Sequence, residues 1–436
     1  MPGERRQLVV KGVLARRALT AVCVVLSVLL AGCTSTNPTN SDATRSGTPP
    51  IPPTAFSDHT GVTPTSVTVA NISTLTGGLF KGALVGTQAY AAFINARGGV
   101  NGRKLVVQSY DDQFTGALNK QATEAALSQA FALVGGTTLE DSFGETVLAA
   151  NPQFPNVSES LDPTTQKLEN TFSAEPTGQG WPLGPLIYFR DRYPKQILHT
   201  GTIVADLPST IETWNNEHAA MDHLGYKVLY DPSLPPSTSD FTANVVAMKN
   251  AGVEILFLEQ EPENYASAVI RDLNQQNFHP VVVLGAPAYD ELLVANSGGP
   301  NAIDGAYLEQ ANSLYLGEDQ AVIPAVGTFN TWVHATAPGF TPDFFTLLGW
   351  LSGELFTQAL RNAGTDPSRG SLLQALRQIT SFTSGNLIPV TNPAGHVPVS
   401  CYLLGQITGG NFQRLDDPPV SGPTNGFRCD QPYYYP

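Results

Sequence analysis

Short apolar runs alternate with amphipathic segments along this chain, and this alternation limits the possible folds more than any other feature. "SVTVANIS" has the alternation of a strand, and "GALVGTQAYAAFIN" has apolar residues at helical spacing before the helix-ending pair Gly98-Gly99. "KLVVQSYDD" is a second strand, and a helix and the buried strand "FALV" follow it. Strands that alternate with helices pair in parallel, so this order predicts a parallel sheet covered by helices on both faces.

A second run of the same kind begins near residue 180. "PLGPLIYFRDRY" is a predicted helix, "QILHTGTIV" a predicted strand, and "PVVVLG" ends the alternation as a buried strand. About 375 residues follow the N-terminal linker, which is more than one hydrophobic core usually holds. The sequence therefore predicts an α/β protein with two lobes in series, and its last paired strands lie around "VSCYLLGQITGGNFQRL".

The N-terminus predicts export. Residues 1–17 carry five basic residues and one acid, and an apolar run of 13 residues follows, where a spanning helix needs about 20. The run ends in "LAGC", which resembles the lipobox of bacterial lipoprotein signals. That resemblance implies that residues 1–32 are removed and that Cys33 is lipidated, with two acyl signals for stable anchoring. An uncleaved anchor, or a signal peptide with an incidental cysteine, is the alternative.

Residues 33–61 are rich in Ser, Thr and Pro, and the sequence predicts a disordered tether there. The net charge of the chain is −14, and the mature chain is near −18 because residues 1–32 take five bases and one acid with them. Such a charge argues against nucleic acid as a partner and against a polybasic membrane contact. Only the lipid anchor is expected to hold the protein at a membrane.

Of the four cysteines, Cys23 leaves with the signal and Cys33 takes the lipid, which leaves Cys401 and Cys429. A disulfide between them is the direct inference for an exported region. Metal binding by these two cysteines is not expected, because no pair of histidines lies near them. We also predict no cofactor. The sequence contains no Gly-x-Ser-x-Gly elbow, phosphate-binding loop or His-Glu-x-x-His motif, so an enzyme is not predicted.

"FINARGGVNGRKLVVQSYDDQ", the preceding "LTGG" and the block "DFTANVVAMKNAGVEILFLEQEPENYASAVIRDLNQQNFHPVVVLG" resemble one family. These segments are similar to extracellular solute-binding proteins of the branched-chain amino acid type, which capture substrates for ABC importers. The resemblance implies the periplasmic-binding-protein type I fold, in which two Rossmann-like lobes with parallel sheets are joined by a three-strand hinge. It places lobe 1 at 62–176 and 310–394, and lobe 2 at 177–309 and 395–436, with a disulfide-bonded C-terminal tail.

Two candidate ligand-binding loops follow strands of lobe 1. Thr137 and Thr138 come after "LVGG", where backbone N–H groups, hydroxyls and a helix start form an anion-binding corner. The resemblance implies that this loop holds a ligand carboxylate, and the alternative is that the threonines only cap a helix. It also points to Ser160, with Glu159 as a departure from the family pattern, and to Phe80 as a wall of the site.

Lobe 2 offers Asp206, Glu261 and Tyr289, each of which follows a predicted strand. Amino-acid binders of this family have an acid after the strand "VVVLG" to pair with the ligand ammonium, but this chain has residues 286–288, Ala-Pro-Ala, in that place. An unpaired buried ammonium is costly. Either Glu261 or Glu159 replaces the acid, or the ligand is not an α-amino acid.

The sequence thus predicts a monomeric receptor, anchored by lipid to the outer face of the cytoplasmic membrane. It would close on a small organic solute (amino acid-like, amide or carboxylate) and deliver it to the permease and ATPase subunits of an ABC importer. The alternative is a ligand-sensing surface receptor on the same fold, without transport.

Overall fold

A computed structural model describes residues 49–436. The predicted signal peptide, Cys23, Cys33 and the first part of the predicted tether lie outside the described residues. The described end of that tether packs on the body, because Pro53–Ser57 form a 3₁₀ turn that buries Ala55 completely. Asp58 lies 2.9 Å from the guanidinium group of Arg369.

The strands are β1 (Ser66–Ser73), β2 (Lys104–Asp111), β3 (Ala132–Val134), β4 (Asn156–Val157), β5 (Thr171–Phe172), β6 (Trp181–Pro182), β7 (Thr200–Thr202), β8 (Val204–Ala205), β9 (Val228–Tyr230), β10 (Ser233–Leu234), β11 (Ile255–Leu258), β12 (Val281–Leu284), β13 (Tyr307–Gln310), β14 (Leu403–Thr408), β15 (Asn411–Arg414) and β16 (Tyr433–Tyr434).

The helices are α1 (Lys81–Asn95), α2 (Gly116–Gln129), α3 (Asp141–Ala150), α4 (Pro163–Gln166), α5 (Leu183–Arg192), α6 (Pro208–Leu224), α7 (Thr242–Ala251), α8 (Glu263–Gln275), α9 (Leu293–Asn296), α10 (Pro300–Ile303), α11 (Pro324–Thr336), α12 (Phe344–Asn362) and α13 (Arg369–Leu376). Within residues 49–436, none of the helices combines the length and the apolar character that a bilayer span requires.

Two sheets organise the described residues. The first has the order β2-β1-β3-β4-β5, and all of its strands are parallel. The second has the order β15-β14-β13-β12-β11-β7-β9, in which β14 pairs antiparallel with both β13 and β15 and the other neighbours are parallel. The predicted α/β fold with parallel sheets and a terminal strand pair is therefore confirmed.

One sequence-based assignment is wrong. The strand predicted over "QILHTGTIV" begins only at Thr200, because Gln196–His199 form a 3₁₀ turn. The apolar residues Ile197 and Leu198 gave this turn the composition of a strand. Only Ile197 is buried, at 5% exposure, whereas Leu198 is 39% exposed.

The chain crosses between the two sheets three times. Helices α1–α4 and α11–α13 pack with the first sheet as lobe 1, and α5–α10 pack with the second sheet as lobe 2. The crossing segments are therefore residues 173–180, 311–323 and 377–402. Hydrogen bonds join the first and third of these segments directly: the Thr391 hydroxyl donates to the carbonyl of Ala174 at 2.7 Å, and the Val399 amide donates to the carbonyl of Pro176 at 3.2 Å.

Candidate functional site

A pocket lies in lobe 1 at the carboxyl ends of β1, β3 and β4, between those strands and the helices α2 to α4. Open α/β sheets place ligands at such strand ends. The pocket contains three of the predicted site residues, Thr138, Glu159 and Ser160. Its other lining residues are Ile72, Asn119, Thr123, Leu133, Gly136, Asp141, Gly144, Leu148, Asn156, Ser158 and Thr165.

Thr138 is held by the protein itself. Its hydroxyl donates to Asp112 and accepts from the Glu140 amide at 2.9 Å. The Thr74 hydroxyl lies 3.1 Å from it, but the single hydrogen of Thr74 also has Asp112 as an acceptor, at 2.8 Å. A hydroxyl has one hydrogen to donate, and Asp112 receives that of Thr138. The bond from the Glu140 amide is a local contact between residues two positions apart, and the side chain of Glu140, the N-cap residue of α3, makes no capping hydrogen bond.

Thr137 is buried beside it, at 2% exposure. Its amide donates to the Ser73 hydroxyl at 3.1 Å, and its carbonyl accepts from the amide of Thr74 at 3.3 Å. The loop after β3 is thus tied to the end of β1. The carboxylate-holding role of both threonines stays a prediction.

Asp111 and Asp112 hold the loops around the pocket together. Asp111 accepts from the amides of Leu75, Thr76 and Gln113 at 2.9, 3.2 and 3.0 Å. Asp112 joins the loops after β1, β2 and β3, since it accepts from Thr74, Asn119 and Thr138. These two acids therefore have a structural role, because their hydrogen bonds connect the loops.

Glu159 and Ser160 extend from the end of β4. The Glu159 carboxyl accepts from the Ser173 hydroxyl and, at 3.4 Å, from the Glu175 amide. Burial raises the pKa of Glu159 to about 7, although these hydrogen bonds oppose the shift. The carbonyl of Ser160 accepts from the Gln166 side chain at 2.7 Å. A carboxyl group with such a pKa titrates in the physiological range, as groups in functional sites often do.

Asp141, at the first position of α3, is a pocket residue that sequence reasoning missed. Its carboxyl accepts from the amides of Leu161 at 2.8 Å and Asp162 at 3.0 Å. Burial raises its pKa to about 7. The helix start that was expected to bind a ligand carboxylate therefore already carries an acid of the protein.

In lobe 2, Glu261 lies just beyond the carboxyl end of β11, with a side chain that is 0% exposed. Its Oε1 accepts from the amide of Ala205 at 2.9 Å, and its Oε2 has no hydrogen-bond partner within the described part of the chain. The hydroxyl of Tyr265 in the first turn of α8 also lacks one. Burial raises the pKa of Glu261 to about 7. This carboxyl oxygen therefore has the capacity to accept one further hydrogen bond.

Asp206 lies just after β8 and is exposed, and its amide donates to the carbonyl of Leu234 at 2.7 Å. The structure brings its side chain into no bond with the other predicted site residues.

Phe80 and Tyr289 lie in packed surroundings. Phe80 is 3% exposed and meets the ring of Phe345 edge to face at 4.6 Å. Tyr289 is 0% exposed, with ring contacts to Tyr315 at 4.9 Å and Phe412 at 4.7 Å, and its hydroxyl donates to Glu318 at 2.5 Å. Contact of either ring with a ligand stays a prediction that requires a change in this packing.

A second group of buried acids lies in lobe 2, on three different elements. Glu217 of α6 is 1% exposed and Glu259, at the end of β11, is 5% exposed, while Glu309 lies in β13. Burial raises the pKa of Glu217 to about 7 and, with the charge of Glu217, that of Glu309 to about 8. The Gln260 side chain approaches Glu217 at 3.4 Å. Sequence spacing could not reveal this group, because 42 or more residues separate neighbouring members.

Glu175 and Asn312 were also missed, and they join two crossing segments. Both Glu175 oxygens accept from Asn312 Nδ2 at 2.8 Å. Burial, followed by the charge of Glu159, raises the pKa of Glu175 to about 8. An acid shortly after a strand was the available signal, but β5 is only two residues long and was not recognised.

The structure pairs Cys401 with Cys429 in a disulfide, as predicted. Among the described residues, no group of three or more His, Cys, Asp or Glu is placed to hold a metal ion.

Comparisons with known proteins agree with this architecture. A family model described as periplasmic binding protein matches residues 66–411. No curated protein matches the chain.

Many solved structures are similar to the chain in fold. A fatty acid ABC transporter substrate-binding protein from Thermomonospora curvata is 16% identical, with 88% of this chain and 96% of that chain covered and a TM-score of 0.68. A leucine-binding protein from Thermotoga maritima is 15% identical, with 80% and 97% covered and a TM-score of 0.65. A branched-chain amino acid ABC transporter protein from Thermus thermophilus with bound valine is 16% identical, with 80% and 95% covered and a TM-score of 0.67.

The matched residues include the first sheet, the second sheet through β14 and all three crossing segments, so the match extends over most of the chain. The chain belongs to the periplasmic binding protein family and has its type I fold.

Proposed function

We propose that this protein is a lipid-anchored receptor that captures a small organic solute between its two lobes and passes it to an ABC permease. The observation that carries the proposal is the position of the polar residues. Glu159 and Ser160 follow a strand of lobe 1, Glu261 follows a strand of lobe 2, and three crossing segments join the lobes. Hinge closure would bring such residues together around a ligand.

Anchoring through Cys33 at the outer face of the cytoplasmic membrane is part of the proposal, and it rests on the lipobox resemblance alone. The partnership of a monomeric receptor with a permease and an ATPase is proposed from the resemblance to solute-binding proteins of ABC importers and from the family match. The chemistry that we propose is binding only. A closed lobe pair excludes water from the ligand, but no residue is assigned a reaction step.

The charge of the site limits the chemistry of the solute. Asp141 and Glu159 line the pocket and Glu261 lies at the strand ends of lobe 2, whereas no lysine or arginine of residues 49–436 lines the pocket. The Thr138 hydroxyl donates its one hydrogen to Asp112 and has none left for a ligand carboxylate. Buried acids without basic partners favour a ligand that donates hydrogen bonds or carries positive charge. We therefore propose an amide- or amine-bearing solute in preference to a carboxylate.

Matched ligands test whether the protein binds amides and amines in preference to carboxylates. The melting temperature should be measured with rising concentrations of pentanoate, pentanamide and pentylamine, and of leucine and leucinamide. Binding to the native state raises the melting temperature with concentration. We expect larger shifts for the amide and amine members of each set than for those with a free carboxylate. Failure of every compound to shift the melting temperature would contradict the receptor proposal, and the largest shifts from pentanoate and leucine would contradict the assigned ligand chemistry.

A further inference from the structure

Two carboxyl groups lie where the pocket meets the crossing segments. Glu159 lines the pocket, and the Ser173 hydroxyl, at the start of the first crossing segment, donates to it. The Glu175 amide donates to the Ser173 hydroxyl at 2.9 Å and to the Glu159 carboxyl at 3.4 Å. A pocket residue is thus hydrogen-bonded to the backbone of a crossing segment.

The side chain of Glu175 continues this chain of contacts to the second crossing segment. Both of its oxygens lie 2.8 Å from Asn312 Nδ2, and the two residues are 7% and 1% exposed. Asn312 is itself held in place, since its carbonyl accepts from the Gln310 side chain at 3.0 Å. The third crossing segment is bonded to the first at the residue before Glu175, because the Thr391 hydroxyl donates to the carbonyl of Ala174.

The protonation state of Glu175 decides how strong these contacts are. An ionised carboxylate accepts at both oxygens, whereas a protonated carboxyl has a hydrogen on one oxygen. That oxygen is a weaker acceptor for the Asn312 amide than a carboxylate oxygen, because it has lost its charge and carries a hydrogen on the side that it presents to a donor. Protonation therefore weakens the contact that joins the first two crossing segments.

We propose that Glu175 and Asn312 form a proton-sensitive latch, which fixes the first two crossing segments when Glu175 is ionised and loosens them when Glu175 takes up a proton. The inference rests on the proposed function only for its purpose, which is to control lobe closure. The hydrogen bonds of the latch are independent of any ligand.

Among residues 49–436, one other ionisable group acts directly on the pKa of Glu175. Glu159 faces it from the loop after β4, and its charge raises the pKa of Glu175 further after burial has done so, to about 8. Tyr315 is the neighbour on the second segment, and its own pKa is raised by burial and, among several acids, by Glu175. On the third segment, His396 packs its ring 5.5 Å from that of Phe172. The latch is therefore expected to engage as the pH rises through about 8.

A ligand that donates a hydrogen bond to Glu159 would act on this equilibrium. It would reduce the effect of the Glu159 charge on Glu175 and favour the ionised, latched form. Glu175 would lose its proton to solvent, and the crossing segments would become fixed as the pocket fills. Glu175 is a positioning residue in this scheme, because it touches the ligand only through Glu159.

Amide hydrogen exchange tests the latch without a ligand. Protection factors of residues 173–180 and 310–316 should be compared at pH 6.5 and pH 9.0, after correction for the intrinsic pH dependence of exchange. We expect wild-type protection to rise about fivefold, the factor that corresponds to one net hydrogen bond. In Glu175→Gln and Asn312→Ala proteins, protection should stay low at both pH values.

Two further variants make the test specific. Glu159→Gln removes the neighbouring charge, so the rise in protection should move to lower pH. Glu309→Gln removes a carboxyl whose pKa is also raised to about 8, but in β13 of lobe 2, so the wild-type rise should persist. A flat wild-type profile, or an unchanged rise in the Glu175→Gln protein, would overturn the latch. The second result would mean that another group, such as His396, causes the pH dependence.

Discussion

The carboxyl group of Glu309 lies in β13 of the seven-stranded sheet, near the carboxyl group of Glu217. Both stand among apolar and acidic neighbours, and each is more easily protonated than an exposed glutamate for that reason. Glu159, Glu175 and Glu261 share this condition. Such groups make folding depend on pH, because the folded state binds protons that the unfolded state has already released.

The sign of this dependence can be stated for Glu309. Its pKa is about 8 in the folded protein and 4.5 in the reference state, so its stabilising contribution is fully present below about pH 4.5 and is lost as the pH rises through about 8. A Glu309→Gln side chain cannot ionise. The variant should therefore be more stable than the wild type at pH 9 by about 1–2 kcal/mol, a value reduced for partial exposure.

Thermal melts at pH 5 and pH 9 check this prediction. Near pH 5 the glutamate is protonated and similar in charge to glutamine, so the two melting temperatures should differ little. An equal difference between variant and wild type at both pH values would show that Glu309 does not titrate as described.

At the scale of elements, the contact of α1 with α12 is set by glycines. A Cβ atom on Gly86 of α1 would lie 1.9 Å from the carbonyl oxygen of Thr346, and one on Gly349 of α12 would lie 2.1 Å from that of Ala83. The two backbones approach so closely only because these residues have no side chain. The aromatic contact of Tyr90 with Trp350 at 5.0 Å depends on the same approach.

A Gly86→Val substitution should force the helices apart. We expect a loss of about 3 kcal/mol or more in the free energy of unfolding, since the clash is with backbone that cannot rotate away. Gln88→Val on the same helix is the control, and it should cost about 0.5 kcal/mol from helix propensity alone. Denaturant unfolding curves give both values. Equal losses in the two proteins would show that the close approach is not required.

Most of these elements could be predicted from local sequence. Helix α1 ends before Gly98 and Gly99, and β1 and β2 have clear apolar patterns, so their order and parallel pairing followed. The turn at Gln196–His199 was mistaken for a strand because a pattern of side chains does not show which of them are buried. The two-residue strands β4 and β5 are too short to give a pattern.

The candidate site was less predictable, because its decisive contacts join distant parts of the chain. Glu175 and Asn312 are 137 positions apart, and the Thr138 hydroxyl is hydrogen-bonded to Asp112, which lies 26 positions before it. Tyr289 was placed in the site because it follows a strand, but Tyr315 and Phe412 enclose its ring. A strand end predicts where a residue lies, and only the neighbouring elements decide what it can touch.

At the scale of the whole molecule, two α/β lobes joined by three crossing segments provide the arrangement that the proposed closure on a solute requires. Buried acids at the strand ends favour a ligand with donor groups. The proposed latch between Glu175 and Asn312 would let the crossing segments respond to the protonation of Glu175. All of these features are explained together by the proposal that the protein binds a small molecule reversibly. The central claim is therefore ligand capture.

Native mass spectrometry of the mature protein, purified from its own host without denaturation, tests that claim most directly. The account predicts a population heavier than the denatured chain by the mass of one small organic molecule. That molecule should contain an amine or amide, and the heavy population should decrease in a Glu261→Gln protein. Native and denatured masses that agree in every preparation, with no released solute, would contradict the account.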